Sequence, residues 1–415
     1  MTQRPIAIDL FAGAGGLSLG FEQAGFDVVA AVELDPIHAC VHQFNFPHCP
    51  ILVKSVREIS GQELRQAAGV TQAKDIDVLM GGAPCQGFSM MGQRALEDPR
   101  NSLVKEFIRL VQELQPKYFV FENVKGLTLG KHRSFLDEIV QASDAMQYQI
   151  LHPWQVLNAK NYGVPQSRER LFLIGARQTL PLPAYPAPHP GYVTCGEALG
   201  DLPDAEQFDA LNHSDQVQAD YLHDPVGYQG LMRCATPAAW QFGYPRHWHS
   251  HYLTASQRTN HSPLSRQRFR ATPPGTVEPI SRFFRLSETG IANTLRAGTD
   301  SARGAFTSPR PIHYRYDRCV TVREMARLQG FPDWFRFQVT KWHGARQIGN
   351  SVPPPLARAI ANQIIEVLGS PKVRPTTLLT LGDPKLVHFD MTNASRYWGI
   401  PAPIAQRNRK SSQVA

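Results

Sequence analysis

The feature that most constrains the fold is an alternation through roughly the first 177 residues, where short apolar runs of strand length take turns with amphipathic segments of helical period. Residues 6–10, 27–32, 78–80, 118–121 and 171–175 read as strands; residues 17–24, 36–44, 102–114 and 134–142 read as helices. Strands separated by helices join as crossovers rather than hairpins, so the pattern predicts a mostly parallel, twisted α/β sheet. At 415 residues with 42% hydrophobic side chains, the chain has enough apolar material for two domains, or for one large domain with an insertion.

The alternation stops at "LPLPAYPAPHPG", residues 180–191, where five prolines in twelve positions interrupt regular structure. From there to about Arg318 the sequence is polar and arginine-rich, without a readable period. Order returns with "TVREMARLQGFP", a helix closed by Gly330 and Pro332, and with "PPPLARAIANQIIEVLG", a helix opened by prolines and ended by Gly369. The expected division is a first domain over 1–179 completed by 346–369, a smaller irregular domain over 180–345, and a poorly ordered tail over 370–415.

The formal charge is +8. Between Pro225 and Val277 there is no Asp or Glu, while Arg233, Arg246, Arg258, Arg266, Arg268 and Arg270 are interleaved with aromatic residues. Such a stretch predicts a surface for a polyanion. Six cysteines without a C-x-x-C pair argue against a disulfide framework and against structural zinc. His38, His42, His48 and Cys49 read as a solvated helix face rather than a metal cluster, so no metal is expected. No run approaches ~18 apolar residues and the N-terminus enters a strand at once. These features predict a cytoplasmic protein with no membrane partner.

Chemistry concentrates where strands end. The first strand runs into "FAGAGG", a glycine-rich turn that lets a ligand approach the backbone. The dinucleotide fingerprint is incomplete, because Ser18 stands where a third glycine belongs, so a nicotinamide dehydrogenase fits poorly. Glu33 closes the second strand, 18 residues past Gly15, where a carboxylate can bind ribose hydroxyls. An adenosine-containing cofactor is the economical reading. The third strand empties into "GGAPCQGFSMMGQR", which puts Cys85 in a loop rather than in the core. A thiol acts as nucleophile only when ionised, so basic neighbours matter. "FENV" supplies Glu122 and "QSRER" supplies Arg168 and Arg170.

In this order, "DLFAGAGG", "GGAPCQGFS", "FENV", "QSRER", "REMARLQGFP" and "QIGNSVPP" make the chain resemble the DNA (cytosine-5) methyltransferases. The resemblance implies a Rossmann-like S-adenosylmethionine-dependent methyltransferase sheet with a smaller, irregular target-recognition domain. It implies that Cys85 adds to cytosine carbon 6, that Glu122 serves nitrogen 3, that Arg170 contacts the base carbonyl and that Arg168 supports the site from behind. It assigns the cofactor to Phe11, Gly13, Gly15, Glu33, Pro84, Leu103, Asn350, Ser351 and Val352. In double-stranded DNA the target must be extruded, with Met91 entering the gap and Thr294, Leu295 and Arg296 near the duplex. One departure stands out: where the family often carries Gly-Asp-Ile, this sequence reads "KSV", leaving Ser55, Asp75 or Asp77 to meet the adenine amino group. Methylation of tRNA cytosine and silent DNA binding on the same fold are the competing readings. A separately acting restriction endonuclease is the partner that a bacterial enzyme of this kind implies.

Overall fold

The computed structural model describes residues 4–83, 102–128, 133–298 and 309–402. Pro84, Cys85, Met91 and the loop over 87–101 lie outside the described residues. The first half alternates β1 (Ile6–Leu10), α1 (Gly16–Ala24), β2 (Asp27–Val32), α2 (Pro36–Asn45), β3 (Ile51–Leu52), α3 (Gly61–Ala67), β4 (Val78–Gly81), α4 (Ser102–Leu114), β5 (Tyr118–Val124) and α5 (Arg133–Ala145). Then follow β6 (Tyr148–Ile150), β7 (Gln155–Asn158) and β8 (Glu169–Arg177). The strand order is β3-β2-β1-β4-β5-β8-β6, with β7 also paired to β8. β1 to β5 run parallel, and β8 runs antiparallel to β5. The carboxyl ends of β1, β2, β4 and β5 therefore meet the amino end of β8 at one edge of the sheet. That convergence explains why the motifs read from sequence cluster.

Both faces of the sheet are covered. Phe107 and Leu110 of α4 with Leu136 and Ile139 of α5 pack on Ile8, Leu79 and Phe119. On the other face, Leu17 and Phe21 of α1 share a core with Leu356 and Ile360 from the far end of the chain.

That far end and the middle supply α6 (Cys195–Leu199), α7 (Gly227–Met232), α8 (Pro263–Ala271), α9 (Val322–Gln329), α10 (Lys341–Asn350), α11 (Pro354–Val367) and α12 (Met391–Trp398). Helix α9 opens with a capping box between Thr321 and Glu324 and ends at Gly330, whose φ is +89°. Gly369 follows α11 with φ +63° and donates its N–H to the Glu366 carbonyl. Regular structure is sparse between residues 180 and 320, and buried arginines replace strand ladders there. Arg327 is fully buried between Asp201 and Asp333, 2.6 Å from the latter, and Arg318 pairs with Glu324 at 2.8 Å. Among the described residues no helix is long and apolar enough to cross a membrane.

Three sequence expectations change in space. The acid-poor stretch is not a bare cationic surface, because each of its six arginines lies beside an acid from elsewhere. Arg246 meets Glu22 at 2.7 Å, Arg258 meets Asp209 at 3.4 Å and Arg270 meets Asp317 at 2.7 Å. Arg266 bonds Glu206 at 2.9 Å, and Arg233 and Arg268 stand 3.8 and 3.9 Å from Asp201 and Glu278. The histidines of α2 do not form a solvated face: His38 and His42 are buried. The third change lies at the far end of the chain. Residues 379–398 are not a loose tail but pack along α2, burying Leu386 and Val387.

Helix α11 reaches α1 closely because Gly20 presents no side chain, and Gly16 likewise leaves room for the Val352 carbonyl just before α11. A Cβ on Gly20 would lie 2.7 Å from the Pro354 carbonyl oxygen and closer still to Cβ of Ala357, both on an adjoining helix that cannot yield locally. Gly20→Val is expected to destabilise the protein by about 1–3 kcal/mol. Chemical denaturation would register this as a lower midpoint, and an unchanged midpoint would mean the two helices can separate freely.

Candidate active site

The turn after β1 is shaped by left-handed residues: Phe11 at φ +61°, Gly13 at +57° and Gly15 at +103°. The two glycines differ in purpose. A Cβ on Gly13 would meet open space, whereas one on Gly15 would strike Phe46 and approach His42. Gly13 thus faces the cavity described below, and Gly15 faces the core. Glu33 holds the turn in place: its Oε2 accepts from Gly13 N at 2.7 Å and its Oε1 from Asp35 N at 2.8 Å. Each oxygen keeps a lone pair for a ligand hydroxyl. Burial raises the Glu33 carboxyl above its usual range, and His38 and the Asp35 N–H act against that rise.

Beneath the turn lies a polar cluster that the sequence did not suggest. Ser18 Oγ donates to the fully buried Asp9 at 2.6 Å and stands 3.1 Å from His42 Nε2. Burial pushes Asp9 up to about 7, partly opposed by its bonds to Ser18. Burial also holds His42 down at about 3, so its ring is neutral. With Ser18 donating to Asp9, His42 must donate from Nε2, which leaves Nδ1 as an unbonded acceptor.

Glu122 and Arg170 are brought together by strand register. Glu122 pairs with Phe172 and Val124 with Arg170, so Glu122 and Arg170 are diagonal neighbours on one face of the sheet. Arg170 Nε lies 2.9 Å from Glu122 Oε1. Gly82 makes room for the carboxylate, since any Cβ there would collide with Glu122 Oε2. Burial raises the Glu122 carboxyl above its ordinary value, against the pull of Arg170 and, less, of Arg168. Arg168 is buried behind the pair, donating Nη1 to the Leu295 carbonyl at 2.9 Å and Nη2 to the Gly349 carbonyl at 2.7 Å. Burial and the charge of Arg170 lower its pKa to about 9.

These groups line one cavity of ≈ 620 Å³, within the range of small-molecule sites. Phe11, Gly13, Glu33, Leu103, Asn350, Ser351 and Val352 reach it, as do Glu122, Arg168 and Arg170. Ser55 lines it, whereas Asp75 and Asp77 do not. Asp77 accepts from Ile6 N and Lys117 Nζ at 2.8 Å each, and Asp75 meets Arg177 at 2.9 Å, all at the opposite edge of the sheet. Of these three residues only Ser55 reaches the cavity.

Sequence reasoning missed Leu34, Lys54, Arg346, Gln347 and Met391 on the cavity wall. Arg346 and Gln347 adjoin "IGNSVPP", so the motif's own helix carried the signal; nothing in the sequence pointed to Met391.

The segment expected near DNA is tied to the same site. Ala292 bridges to Gln166, Thr294 Oγ1 donates to the Ser167 carbonyl at 2.7 Å, and Leu295 N donates to Gln166 Oε1 at 3.0 Å. Leu295 is buried in the core, which leaves Thr294 and Arg296 exposed. They border a shallow groove with Arg282, which is exposed and has a left-handed backbone at φ +61°.

A family model described as C-5 cytosine-specific DNA methylase matches residues 6–366. Type II methyltransferase M.XorII of Xanthomonas oryzae pv. oryzae is 56% identical over 413 residues, covering 99% of this chain and 97% of that protein. Type II methyltransferase M.DdeI of Desulfomicrobium norvegicum is 34% identical over 389 residues, covering 86% and 88% respectively. Among solved structures, an E. coli prophage-encoded protein named for DNA modification methylation superposes with a TM-score of 0.72 at 33% identity. It covers 88% of this chain and 99% of its own.

The buried cluster gives a pH-dependent stability. Asp9 has an unfolded value of 3.8 and a folded value of about 7, so its favourable contribution is complete below 3.8 and is lost as pH rises through about 7. Asp9→Asn should remove that loss. Denaturation midpoints measured at pH 5 and pH 8 should shift relative to wild type in the variant's favour at the higher pH; parallel behaviour of the two proteins would contradict the assignment.

Proposed function

The chain belongs to the C-5 cytosine-specific DNA methylase family and is a DNA cytosine-5 methyltransferase using S-adenosylmethionine, and from that premise we propose which residues carry each step. The cavity suits the cofactor: the Gly13 turn leaves room at the backbone, Glu33 offers two acceptor oxygens fixed by N–H donors, and Phe11 and Leu103 give apolar walls. Asn350 at the end of α10 and Ser351 and Val352 just after it close the cavity, and the resemblance assigns Pro84, next in sequence to Ala83, to the same cofactor. When bound, S-adenosylmethionine supplies an electrophilic methyl group on a sulfonium.

Cys85 is the nucleophile, two residues along the chain from Ala83 on the cavity wall. Its thiolate adds to carbon 6 of an extruded cytosine, and the ring electrons move toward carbon 5 and nitrogen 3. Glu122 stabilises that shift by holding a proton at nitrogen 3, for which its raised proton affinity is suited. Arg170 orients Glu122 and donates to the base carbonyl, and Arg168 fixes both from behind. After carbon 5 takes the methyl group, loss of its proton restores the double bond and expels the thiolate. The observation that carries this reading is the Glu122–Arg170 pair, 2.9 Å apart in the cavity that Glu33 and Gly13 also line.

Residues 1–179 with 346–369 form the catalytic and cofactor domain, and 180–345 read the target in duplex DNA. Within that region Thr294 and Arg296 face the substrate, Leu295 anchors them, and Met91 fills the vacated stack. Arg282 joins them, because it has no ion-pair partner among the described residues while the arginines of the acid-poor stretch all do. The Type II designation of the relatives supports a separately acting restriction endonuclease with the same target, in the cytoplasm of a bacterial host.

Two measurements test these assignments. Methyl transfer to a duplex oligonucleotide should show a bell-shaped pH dependence, rising as the thiol ionises and falling as Glu122 loses its proton. Glu122→Gln should lower kcat by about 10²–10⁴-fold and abolish the falling limb; a variant as active as wild type would remove Glu122 from the mechanism. In a DNA-binding titration, Arg282→Ala should weaken cognate duplex affinity by about 1–3 kcal/mol, whereas Arg266→Ala, which breaks the pair with Glu206, should leave it nearly unchanged. Equal losses in both variants would refute the division between free and paired arginines.

A further inference from the structure

The family match ends at residue 366, yet the described chain continues to residue 402 and returns to the cavity. Leu379 and Thr380 pair in parallel with Arg246 and His247. Gly382 N then donates to the Phe44 carbonyl at 2.8 Å, at the end of α2, in a contact so close that a Cβ on Gly382 would lie 2.9 Å from Phe44 Cα. Val387 is buried and accepts from Val339 N. Helix α12 runs back beside α2, and Trp398 Nε1 lies 3.2 Å from both the Pro36 carbonyl and Cys40 Sγ. The segment therefore grips α2 at both ends. Its grip at Pro36 is three residues from Glu33, on the turn that fixes the carboxylate.

Met391, in the first turn of α12, lines the cavity with Leu34, Asp35, Pro36 and His38. His38 adds a second sign that this corner receives a ligand: it is 93% buried, its Nε2 has no hydrogen-bond partner, and the nearest carboxylate oxygen, on Asp35, is 3.9 Å away. We propose that residues 379–398 are a built-in wall of the cofactor pocket, with the Met391 thioether packing against the adenosine part of S-adenosylmethionine and α12 holding the Glu33–Pro36 turn. This rests on the reading that the cavity is the cofactor site. A thioether suits the place, being flexible and polarisable enough to pack on a purine or ribose surface.

The test is calorimetric titration of the full chain with S-adenosylhomocysteine, without DNA, so that no catalytic step enters the readout. Met391→Ala should weaken binding about three- to tenfold, through loss of partly buried apolar contact. Met391→Gln, of similar length but polar, should weaken it as well. Trp398→Phe, which keeps the ring but loses the N–H, should weaken it less, by loosening the turn. Glu33→Gln serves as the reference for the cavity itself. If Glu33→Gln weakens binding and both Met391 variants bind as wild type does, the wall is refuted and the cavity reading stands. If none of the four variants changes affinity, the cofactor does not occupy this cavity. A Met391→Ala protein that fails to fold leaves the decision to Met391→Gln, whose unchanged affinity would overturn the proposal equally.

Discussion

The interaction on which the rest of the structure depends is the buried guanidinium of Arg168. A buried cation is costly unless hydrogen bonds replace its water, and here the carbonyls of Leu295 and Gly349 take Nη1 and Nη2. Those carbonyls belong to chain segments 127 and 181 residues away. One side chain thus locks the start of strand β8, the Thr294–Arg296 segment and the end of α10 into a single arrangement. Gly349 is part of the same lock, because a Cβ there would collide with the backbone of Arg296 and Ala297. Gln166 repeats the device two residues earlier, bonding Leu295 N, the Leu328 carbonyl and Gln329. Its consequence is functional: the position of Thr294 and Arg296 relative to Glu122 is set by buried hydrogen bonds rather than by a hinge.

In front of Arg168 the electrostatics are deliberately unbalanced toward a proton. Two arginines near one carboxyl would normally hold it ionised, yet burial outweighs them at Glu122. The pair at 2.9 Å keeps Glu122 in one orientation while leaving its proton affinity raised. On the cofactor side the same logic applies with backbone donors: Glu33 is buried enough to be costly when charged, and two N–H groups offset that cost and fix its direction. The sheet edge therefore carries two preoriented carboxylates in one cavity, one held by a guanidinium and the other by backbone N–H groups.

The alternating half of the chain was legible because its strands and helices are long enough to show their periods. All five expected strands and all four expected helices of that half recur, with boundaries moved by at most a few residues. What escaped were pieces too short for a period, such as β3 and β6 at two and three residues. Motif order singled out Gly13, Glu33, Glu122, Arg168 and Arg170, and the fold brings all five to one cavity. Gly15 carries a demand invisible in letters, a left-handed φ with no room for a Cβ beside Phe46. The adenine position could not be resolved from letters, since only the fold shows that Asp75 and Asp77 lie at the far edge. Helix α2 was misjudged for a similar reason: His42 is buried against Ser18 and Phe46, and His38 lies in a corner that Met391, from the far end of the chain, also lines.

Charge was the least legible property, and the reason is general. A stretch without acids predicts positive potential only if nothing folds onto it, and here Glu22, Asp201, Glu206, Asp209, Glu278 and Asp317 do. These pairs hold together a region with little regular backbone pairing, so most of its arginines are structural. Arg282 is different in kind. Its left-handed φ of +61° costs backbone energy, and the loop sustains it through Arg282 N donating to the Glu278 carbonyl while the Glu278 carboxylate takes Ser281 N. The loop is thus organised by an internal carboxylate that is itself 2% exposed. In the proposed DNA contact of Arg282, a backbone ordered in advance lowers the entropy cost of binding.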